Sequence, residues 1–287
     1  NADSALFKAK SAGREGYALY TEELTAHAQY RIEVASDLRR ALEQQELRVY
    51  FQPVHDLTTS RMVGVEALVR WQHPQRGLVA PGEFIPIAER TGLIAEIDAW
   101  VLEQACWQMC QWQAAGVDLS FVAVNISSRL FARPELYQLV STVLADTGLN
   151  PALLELEVTE SAVMDNSEVA LEQMHRLREL GLRLAIDDFG TGFSSLLRLK
   201  RLPVQKLKID QGFVAGLPGD DDDVAIVRAV IALAQSMGMQ VHAEGIEYVE
   251  QAQFLLDHHC DLGQGYWFGR PMPARELDWQ RAPAIRP

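Results

Sequence analysis

The sequence predicts an α/β fold, a TIM-type (β/α)₈ barrel whose first strand runs antiparallel to the rest. Short apolar segments alternate with longer helical segments along most of the 287-residue chain, which indicates crossovers between parallel strands. Eight of these short segments fall within about 220 residues, a length that suits such a barrel. Residues 53–61, which join the first two segments, are too few for a helical crossover, so these two strands should pair antiparallel.

Each strand is predicted from a short apolar run bounded by turn-forming residues. The eight runs are Leu47–Gln52, Met62–Val69, Phe121–Ile126, Leu153–Val158, Leu182–Asp187, Gln205–Ile209, Met239–Ala243 and Gly263–Trp267. Helices are predicted where apolar residues recur on one helical face. These segments are Glu22–Gln45, Ile94–Ala115, Pro134–Thr147, Glu168–Leu180, Asp223–Met237 and Val249–Asp257.

Composition narrows the class of protein. The chain has 26 basic and 39 acidic residues and a formal net charge of −13, which argues against a binder of polymeric nucleic acid. Three cysteines give no disulfide framework and fit a reducing compartment. The sequence shows no leader peptide and no apolar run long enough to span a bilayer. We therefore expect a cytoplasmic domain, and a longer parent protein could carry an inner-membrane anchor upstream.

Polar or charged side chains stand at or near the C-terminal ends of most predicted strands. In a barrel these ends converge on one mouth, where active sites lie. Crowded carboxylates repel one another unless cations hold them together, and oxygen ligands favour hard ions such as Mg²⁺ or Mn²⁺. The crowding of these residues therefore predicts a divalent-metal site at the mouth. The strand-end residues are Glu66, Asn125, Glu157, Asp187, Lys208 with Asp210, Glu244 and Gln264.

Seven sequence blocks, in order, resemble the EAL family of cyclic-di-GMP phosphodiesterases. The resemblance covers about residues 37–280, and ordered blocks are far more specific than a single tripeptide. The blocks are Glu66-Ala67-Leu68-Val69-Arg70-Trp71, Phe84–Glu89, Asn125-Ile126-Ser127, Glu157–Ser161, Asp187–Leu196, Lys206–Asp210, and Ala243–Glu247 together with Gln264-Gly265-Tyr266.

The resemblance implies two divalent cations, Mg²⁺ or Mn²⁺. Glu66, Asn125, Glu157 and Asp187 match the ligands of one cation. Asp187, Asp188 and Glu244 match the ligands of the second, with Asp187 bridging the two. Such a pair lowers the pKa of a water and neutralises charge on phosphoryl oxygens.

Catalytic and substrate-binding residues are carried over in the same way. Lys208 matches a lysine that holds the attacking water, and Asp210, two residues later, is expected to orient it. Whether Glu244 is a general base or only a ligand stays open. Arg70 lies four residues after Glu66, so both side chains point to the same side of the strand. Its guanidinium group has a forked geometry that suits a phosphate. The full substrate-binding set is Gln52, Leu68, Arg70, Asp210, Glu247 and Gln264.

The glycine-rich segment at residues 189–196 could be a phosphate cradle, although this signal is weak by itself. The family resemblance implies instead that this loop connects the metal site to a homodimer interface. Glu160 resembles the residue that anchors the loop. We expect order in this loop to position Asp187 and Asp188.

The resemblance implies hydrolysis of cyclic-di-GMP to linear 5′-pGpG by in-line attack of a metal-activated water. The alternative is a catalytically silent cyclic-di-GMP receptor, which would lack metal ligands that this sequence retains.

Residues 1–20 resemble the C-terminal remnant of a GGDEF (diguanylate cyclase) domain. Residues 21–36 are then a linker helix and 37–287 the EAL phosphodiesterase domain, in a parent protein with upstream GGDEF and sensory domains.

Other features have simpler interpretations. Cys106 and Cys110 are expected to be buried core thiols rather than metal ligands. The acidic residues 220–223 precede a helix, where they favour the macrodipole. Tyr266 and Phe268 lie near the predicted mouth, and whether they stack on a guanine stays open.

Overall fold

The structure, a computed structural model, describes residues 22–165, 167–190, 196–280, 283 and 285. For residues 22–28, 31, 164, 165, 167 and 196 it describes the backbone alone. The predicted GGDEF remnant at residues 1–20 and the loop residues 191–195 lie outside the described residues. The chain divides into two compact units, a smaller one with residues up to Arg48 and Arg70–Ile94, and a larger one with Val49–Val69 and the residues from Ala95 onward.

The described residues contain nine strands, eight of which close into a barrel in the order β1-β9-β8-β7-β6-β5-β4-β2, with β1 also pairing with β2. β1 runs antiparallel to β9, whereas the other neighbours from β2 to β9 are parallel. The predicted barrel with an antiparallel first strand is confirmed. The strands are β1 Leu47–Asp56, β2 Met62–His73, β3 Gly77–Val79, β4 Phe121–Asn125, β5 Leu154–Thr159, β6 Arg183–Phe189, β7 Lys206–Ile209, β8 Gln240–Ala243 and β9 Leu262–Gln264.

The turn between β1 and β2 is built by one aspartate. Asp56 Oδ1 accepts hydrogen bonds from the Thr59 backbone N–H at 2.7 Å and from its hydroxyl at 2.8 Å. The Asp56 N–H donates to the Arg61 carbonyl at 3.0 Å, which closes the hairpin. β1 therefore continues to Asp56, beyond the predicted end at Gln52. The expectation that Gln52 ends its strand is wrong, because Gln52 lies in the middle of β1.

Helices connect most of the parallel strands, as predicted. The helix at Pro81–Thr91 was not among the predicted ones, because Pro81, Gly82 and Pro86 argue against a helix. Pro81 occupies the first turn, where its missing N–H costs nothing. The described helices are α1 Glu22–Glu43, α2 Pro81–Thr91, α3 Ile94–Ala114, α4 Ser128–Phe131, α5 Leu136–Thr147, α6 Glu160–Asp165, α7 Ser167–Glu179, α8 Leu196–Leu199, α9 Gln211–Ala215, α10 Asp221–Ser236 and α11 Val249–Asp257.

The smaller unit is organised around Trp71, which is 1% exposed. Its indole N–H donates to Glu46 at 3.0 Å, and its ring meets Phe84 of α2 edge-on at 5.8 Å. His73 accepts backbone N–H groups of residues 75 and 76 through Nδ1. The histidine is therefore a structural turn residue. α1 runs unbroken past residue 36, and the predicted boundary there stays a prediction.

Part of the barrel interior is apolar. Val54, Phe121, Ala123 and Leu262 form a buried cluster there. A Cβ atom on Gly64 would lie 2.5 Å from the Phe121 ring, so glycine at this position lets the ring fill the interior. This packing fixes the strands whose other ends carry the polar residues.

Outside the barrel interior, several predictions are confirmed. Cys106 is buried and Cys110 partly buried, both with free thiols, and burial raises the pKa of Cys106 to about 12. Asp220 caps α10 by accepting the N–H groups of Asp222 and Asp223 at 3.0 and 3.1 Å. None of the helices in the described ranges combines the length and apolar character that a membrane crossing needs.

Candidate active site

Charged side chains from five strands meet inside one end of the barrel. Glu157 lies on β5, Asp187 on β6 and Lys208 on β7, each near the C-terminal end of its strand. Glu244 directly follows β8, whereas Glu66 lies within the longer β2. Parallel pairing aligns the ends of these strands, which is why residues distant in sequence come together at the end where barrel enzymes carry their sites.

Lys208 is the centre of this cluster and is fully buried. Its Nζ lies 2.6 Å from Glu157 Oε2, 2.6 Å from Glu244 Oε1 and 3.2 Å from Asp187 Oδ2. Glu66 Oε1 is at 4.0 Å. One ammonium thus faces four carboxylates. Carboxylate repulsion, which the sequence predicts to be relieved by cations, is relieved in part by Lys208.

Opposing effects act on the protonation of this cluster. Burial by itself lowers the pKa of Lys208, but Asp187, Glu157 and Glu244 raise it, and the net shift is well upward. Burial raises the pKa of Glu157, the Lys208 ammonium lowers it, and Glu66 and Asp187 raise it further, for a net rise. The lysine therefore stays charged, while the carboxylates compete for positive charge.

Glu244 and Asp188 also have raised pKa values. Burial raises the pKa of Glu244 to about 8, against the lowering effect of Lys208 and with a further rise from Asp187. Burial also raises the pKa of Asp188, and the charges of Asp187 and Asp210 add to the effect. Carboxylates that are held close to other negative charges have raised pKa values, and a bound cation would lower those values.

A chain of side-chain amides holds Glu66 in place. Asn125 Nδ2 donates to Glu66 Oε1 at 2.5 Å, and Gln264 Nε2 donates to Glu66 Oε2 at 2.6 Å. Gln264 Nε2 also donates to Gln52 Oε1 at 3.0 Å, and Gln52 Nε2 donates to the Gly269 carbonyl at 3.1 Å. Both oxygens of Glu66 are thus oriented by neutral donors, which leaves its charge uncompensated apart from Lys208.

The donor chemistry of the cluster fits a hard divalent cation. The oxygens come from carboxylates, which Mg²⁺ and Mn²⁺ prefer, and negative charge exceeds positive charge. Glu157 Oε1 is buried and has no hydrogen-bond partner among the described residues. Within the ranges that the structure describes, no three acidic, histidine or cysteine side chains surround a common ligand position. Four carboxylates of the cluster instead lie within 4.0 Å of the Lys208 ammonium.

The backbone after Asp187 is strained in a way that a functional loop often is. Asp188 has φ of +53°, which is rare for residues other than glycine, and its N–H donates to Asp187 Oδ1 at 2.9 Å. Gly190 has φ of +100°, and its N–H donates to Glu160 Oε2 at 3.0 Å. Glu160 therefore holds Gly190, the first glycine of the segment at residues 189–196.

Comparison with known proteins agrees with this geometry. The family model described as the EAL domain matches residues 35–271. The chain belongs to the EAL domain family. The family resemblance stated from the sequence blocks is thereby confirmed.

Two relatives of this EAL chain come from Pseudomonas aeruginosa. The bifunctional diguanylate cyclase/cyclic di-GMP phosphodiesterase MucR is 46% identical over 277 residues, covering 96% of this chain and 40% of MucR. The cyclic di-GMP phosphodiesterase NbdA is 41% identical over 278 residues, covering 97% of this chain and 36% of NbdA. The chain spans less than half the length of these curated relatives.

A solved structure titled PaMucR phosphodiesterase, c-di-GMP complex is also similar to this EAL chain. It is 46% identical, with a TM-score of 0.83, covering 86% of this chain and all of the other. Because the superposition covers most of this chain and all of the solved one, the two share the eight-stranded barrel fold with its antiparallel first strand.

The other predicted residues of this EAL chain differ in their surroundings. Asp210 caps α9 by accepting the Gly212 N–H at 2.9 Å and contributes to the raised pKa of Asp188, and its expected role in orienting Lys208 stays a prediction. Glu247 is exposed, and Leu68 is half-buried. Arg70 lies on β2, four residues after Glu66, and is partly buried.

Tyr266 and Phe268, the two aromatic residues expected near the barrel mouth, differ in their exposure to solvent. Phe268 is fully buried and stacks on His55 with ring centroids 4.8 Å apart, so it cannot stack on a nucleobase. Tyr266 is 48% exposed, and the Arg270 guanidinium lies 3.9 Å from its ring centroid. Together with Glu247, these two residues line an open cleft of about 460 Å³.

A second buried polar layer, which is not among the predicted features, lies beneath the cluster. Glu155 and Lys206 form an ion pair at 2.6 Å with both side chains 1% exposed. His242 is also buried, and burial, followed by the charges of Lys206 and Lys208, holds its pKa well below the ordinary value. The alternation of charged residues in Glu155-Leu156-Glu157 and Lys206-Leu207-Lys208 is the signal that would have revealed this layer.

Proposed function

We propose that this chain hydrolyses cyclic-di-GMP to linear 5′-pGpG by in-line attack of a water at one phosphodiester. The observation that carries the proposal is the convergence of Glu66, Glu157, Asp187 and Glu244 on Lys208. The names of MucR and NbdA and the cyclic-di-GMP complex of the similar solved structure support the choice of substrate.

In this proposal two divalent cations, Mg²⁺ or Mn²⁺, bind among the acidic residues. The residues that would hold them are Glu66, Asn125, Glu157, Asp187, Asp188 and Glu244. When bound, such cations supply Lewis acidity that lowers the pKa of a water and neutralises charge on the phosphoryl oxygens. The oxygen-only donor set and the unpartnered Glu157 Oε1 support this assignment.

The chain's own residues have distinct tasks in the proposal. Lys208 keeps its proton, so it adds a fixed positive charge beside the reacting phosphate and contacts the attacking water. Asn125 and Gln264 fix the rotamer of Glu66 through its two oxygens. Asp210, at the start of α9, orients Lys208 in this proposal, and its charge also raises the pKa of Asp188. These groups are held in place before substrate arrives, which is the basis of electrostatic catalysis.

Substrate contacts are proposed for Gln52, Leu68, Arg70, Asp210, Glu247 and Gln264. The amides of Gln52 and Gln264 bond to each other, so a guanine edge would meet an oriented pair. Exposed Glu247 borders the cleft with Tyr266 and can accept from a guanine. The proposed contact of Arg70 with phosphate rests on the family resemblance.

An assay of the purified chain with cyclic-di-GMP tests the proposal. We expect 5′-pGpG to appear with Mg²⁺ or Mn²⁺ and to be lost on adding chelator. Glu66→Gln, which keeps the side-chain shape, should abolish product, whereas Cys106→Ser should leave it intact because Cys106 lies in a helix outside the barrel interior. Binding of cyclic-di-GMP without any product from the unmodified chain would contradict the proposal and indicate the silent receptor.

We also propose that the chain forms a homodimer through its EAL domain and that residues 1–20 end a GGDEF domain of a longer parent with upstream sensory domains. The word bifunctional in the name of MucR supports such an arrangement. Sedimentation equilibrium of the purified chain tests the dimer, and a monomer at all concentrations, with and without cyclic-di-GMP, would contradict it.

A further inference from the structure

The two ion pairs inside the barrel repeat one another at different depths. Glu155 and Glu157 lie on β5, and Lys206 and Lys208 lie on β7. Both pairs have an Nζ–carboxylate distance of 2.6 Å. Because successive residues of a strand alternate between its two faces, residues two apart point to the same side, and the Glu155–Lys206 pair lies one layer below the Glu157–Lys208 pair.

The lower pair fixes the Lys206 ammonium between two groups. One is the Glu155 carboxylate, and the other is the Phe121 ring, whose centroid lies 3.8 Å from Nζ. Among the described residues, the one ion pair of Lys206 is with Glu155. A lysine head on a flexible four-carbon stem is held here by a single carboxylate and a cation–π contact.

The upper layer offers Lys206 a competing partner. Glu157 uses Oε2 to accept from Lys208 at 2.6 Å, whereas no hydrogen-bond partner for Oε1 is present in the part of the chain that the structure describes. At about 3.3 Å per residue, positions 155 and 157 are separated by roughly 6.6 Å along the strand. A lysine stem can cover that distance by a change of rotamer.

We propose that Glu155 is a positioning residue that keeps the Lys206 ammonium in the lower layer and so leaves Glu157 Oε1 available to a ligand of the site. Without this restraint a second ammonium enters the carboxylate cluster and competes with divalent cations. The inference rests on the proposed function, because it concerns the same cluster and its cations. It adds a residue that touches neither substrate nor cation.

Crystal structures and Mn²⁺ binding, measured by electron paramagnetic resonance on purified protein, test the proposal. Glu155→Gln should bring Lys206 Nζ within hydrogen-bond distance of Glu157 Oε1 and weaken Mn²⁺ binding by about tenfold or more, as expected for a residue behind metal ligands. Glu155→Gln combined with Lys206→Met should restore Mn²⁺ affinity, because the intruding charge is gone. Lys200→Met, at an exposed position, is the matched control and should change neither readout.

A merely structural role would lower the amount of folded protein without moving the Mn²⁺ titration midpoint. If Glu155→Gln does not fold, Glu155→Asp keeps the charge and should bind Mn²⁺ like the unmodified chain, as should the double variant. The proposal is overturned if Lys206 stays beside Phe121 in the Glu155→Gln crystal structure, or if the double variant binds Mn²⁺ as weakly as the single variant.

These outcomes separate the two proposals. A chain that binds Mn²⁺ with the expected ranking of variants but releases no 5′-pGpG contradicts the proposed function and supports the role of Glu155. If the unmodified chain binds no Mn²⁺, the proposed cation centre fails, and the position of Lys206 in the Glu155→Gln crystal structure still decides the role of Glu155.

Discussion

Replacing Lys208 with methionine removes the one positive charge in contact with four carboxylates. Lys208 is fully buried, so water cannot replace its ammonium without changing the packing. Methionine keeps most of the stem volume, and the variant therefore removes charge rather than creating a large cavity. We expect a chelator-treated Lys208→Met protein to be much less stable than the unmodified protein.

The distances from Lys208 Nζ to the carboxylate oxygens set the size of the expected loss of stability. Carboxylate oxygens at 2.6, 2.6 and 3.2 Å each attract the ammonium by about 5–6 kcal/mol at an effective dielectric constant of about 20. The cost of burying these charges offsets most of that attraction. Removal of one partner from a buried ion pair destabilises proteins by about 3–5 kcal/mol, and we expect the free energy of unfolding to fall by that amount.

Denaturant unfolding in chelator, repeated with Mn²⁺ and with Lys200→Met as the exposed control, measures the effect. A cation present at about 100 times its dissociation constant stabilises a protein by about 2.7 kcal/mol, so Mn²⁺ should recover much of the loss. Turnover should remain at least about 100-fold below that of the unmodified chain, because the fixed charge at the phosphate is missing. Equal stability of the two proteins in chelator would refute this reasoning.

Three further perturbations test the local chemistry. In chelator, the pKa of Glu244 is about 8 in the folded protein against 4.5 as its ordinary value, so the folded state binds more protons between these values and the melting temperature should fall as pH rises from about 5 to about 8. Glu244→Gln should flatten that pH dependence, and an unchanged slope would count against the raised pKa. Asp188→Val should lower the free energy of unfolding by about 1–3 kcal/mol, because a β-branched residue is poorly accommodated at the positive φ of this position, whereas Asp188→Asn should lower it little. Equal denaturation midpoints for the two variants would show that the backbone at Asp188 is not strained. Glu160→Ala leaves the Gly190 N–H without its acceptor and should lower turnover and Mn²⁺ affinity by about tenfold or more, and unchanged values would remove Glu160 as the loop anchor.

Much of the fold follows from local sequence patterns. The short join between β1 and β2 predicted their antiparallel pairing, and the structure confirms it. The length of β1 could not be predicted, because Pro53 and His55 argue against a continuing strand and yet both are buried near β9. The last strand ends at Gln264, before the predicted Trp267, since apolar residues after it pack as a turn.

The site could be predicted only in part. Residues at parallel strand ends meet because register aligns them, and Glu157, Asp187 and Lys208 lie where that rule places them. Sequence reasoning could not show that the lysine itself occupies the middle of the carboxylates, because this depends on side-chain reach across the barrel. Nor did it find Glu155 and Lys206, whose burial contradicts the usual exposure of such residues.

Diffraction at the manganese absorption edge, from crystals soaked in Mn²⁺, examines the centre of this account in one step. We expect anomalous peaks within ligand distance of the Glu66, Glu157 and Asp187 carboxylates and a second peak beside Glu244. Anomalous maps without any peak among these carboxylates, from crystals in saturating Mn²⁺, would mean that the barrel holds no cation there and that the proposed hydrolysis lacks its metal centre.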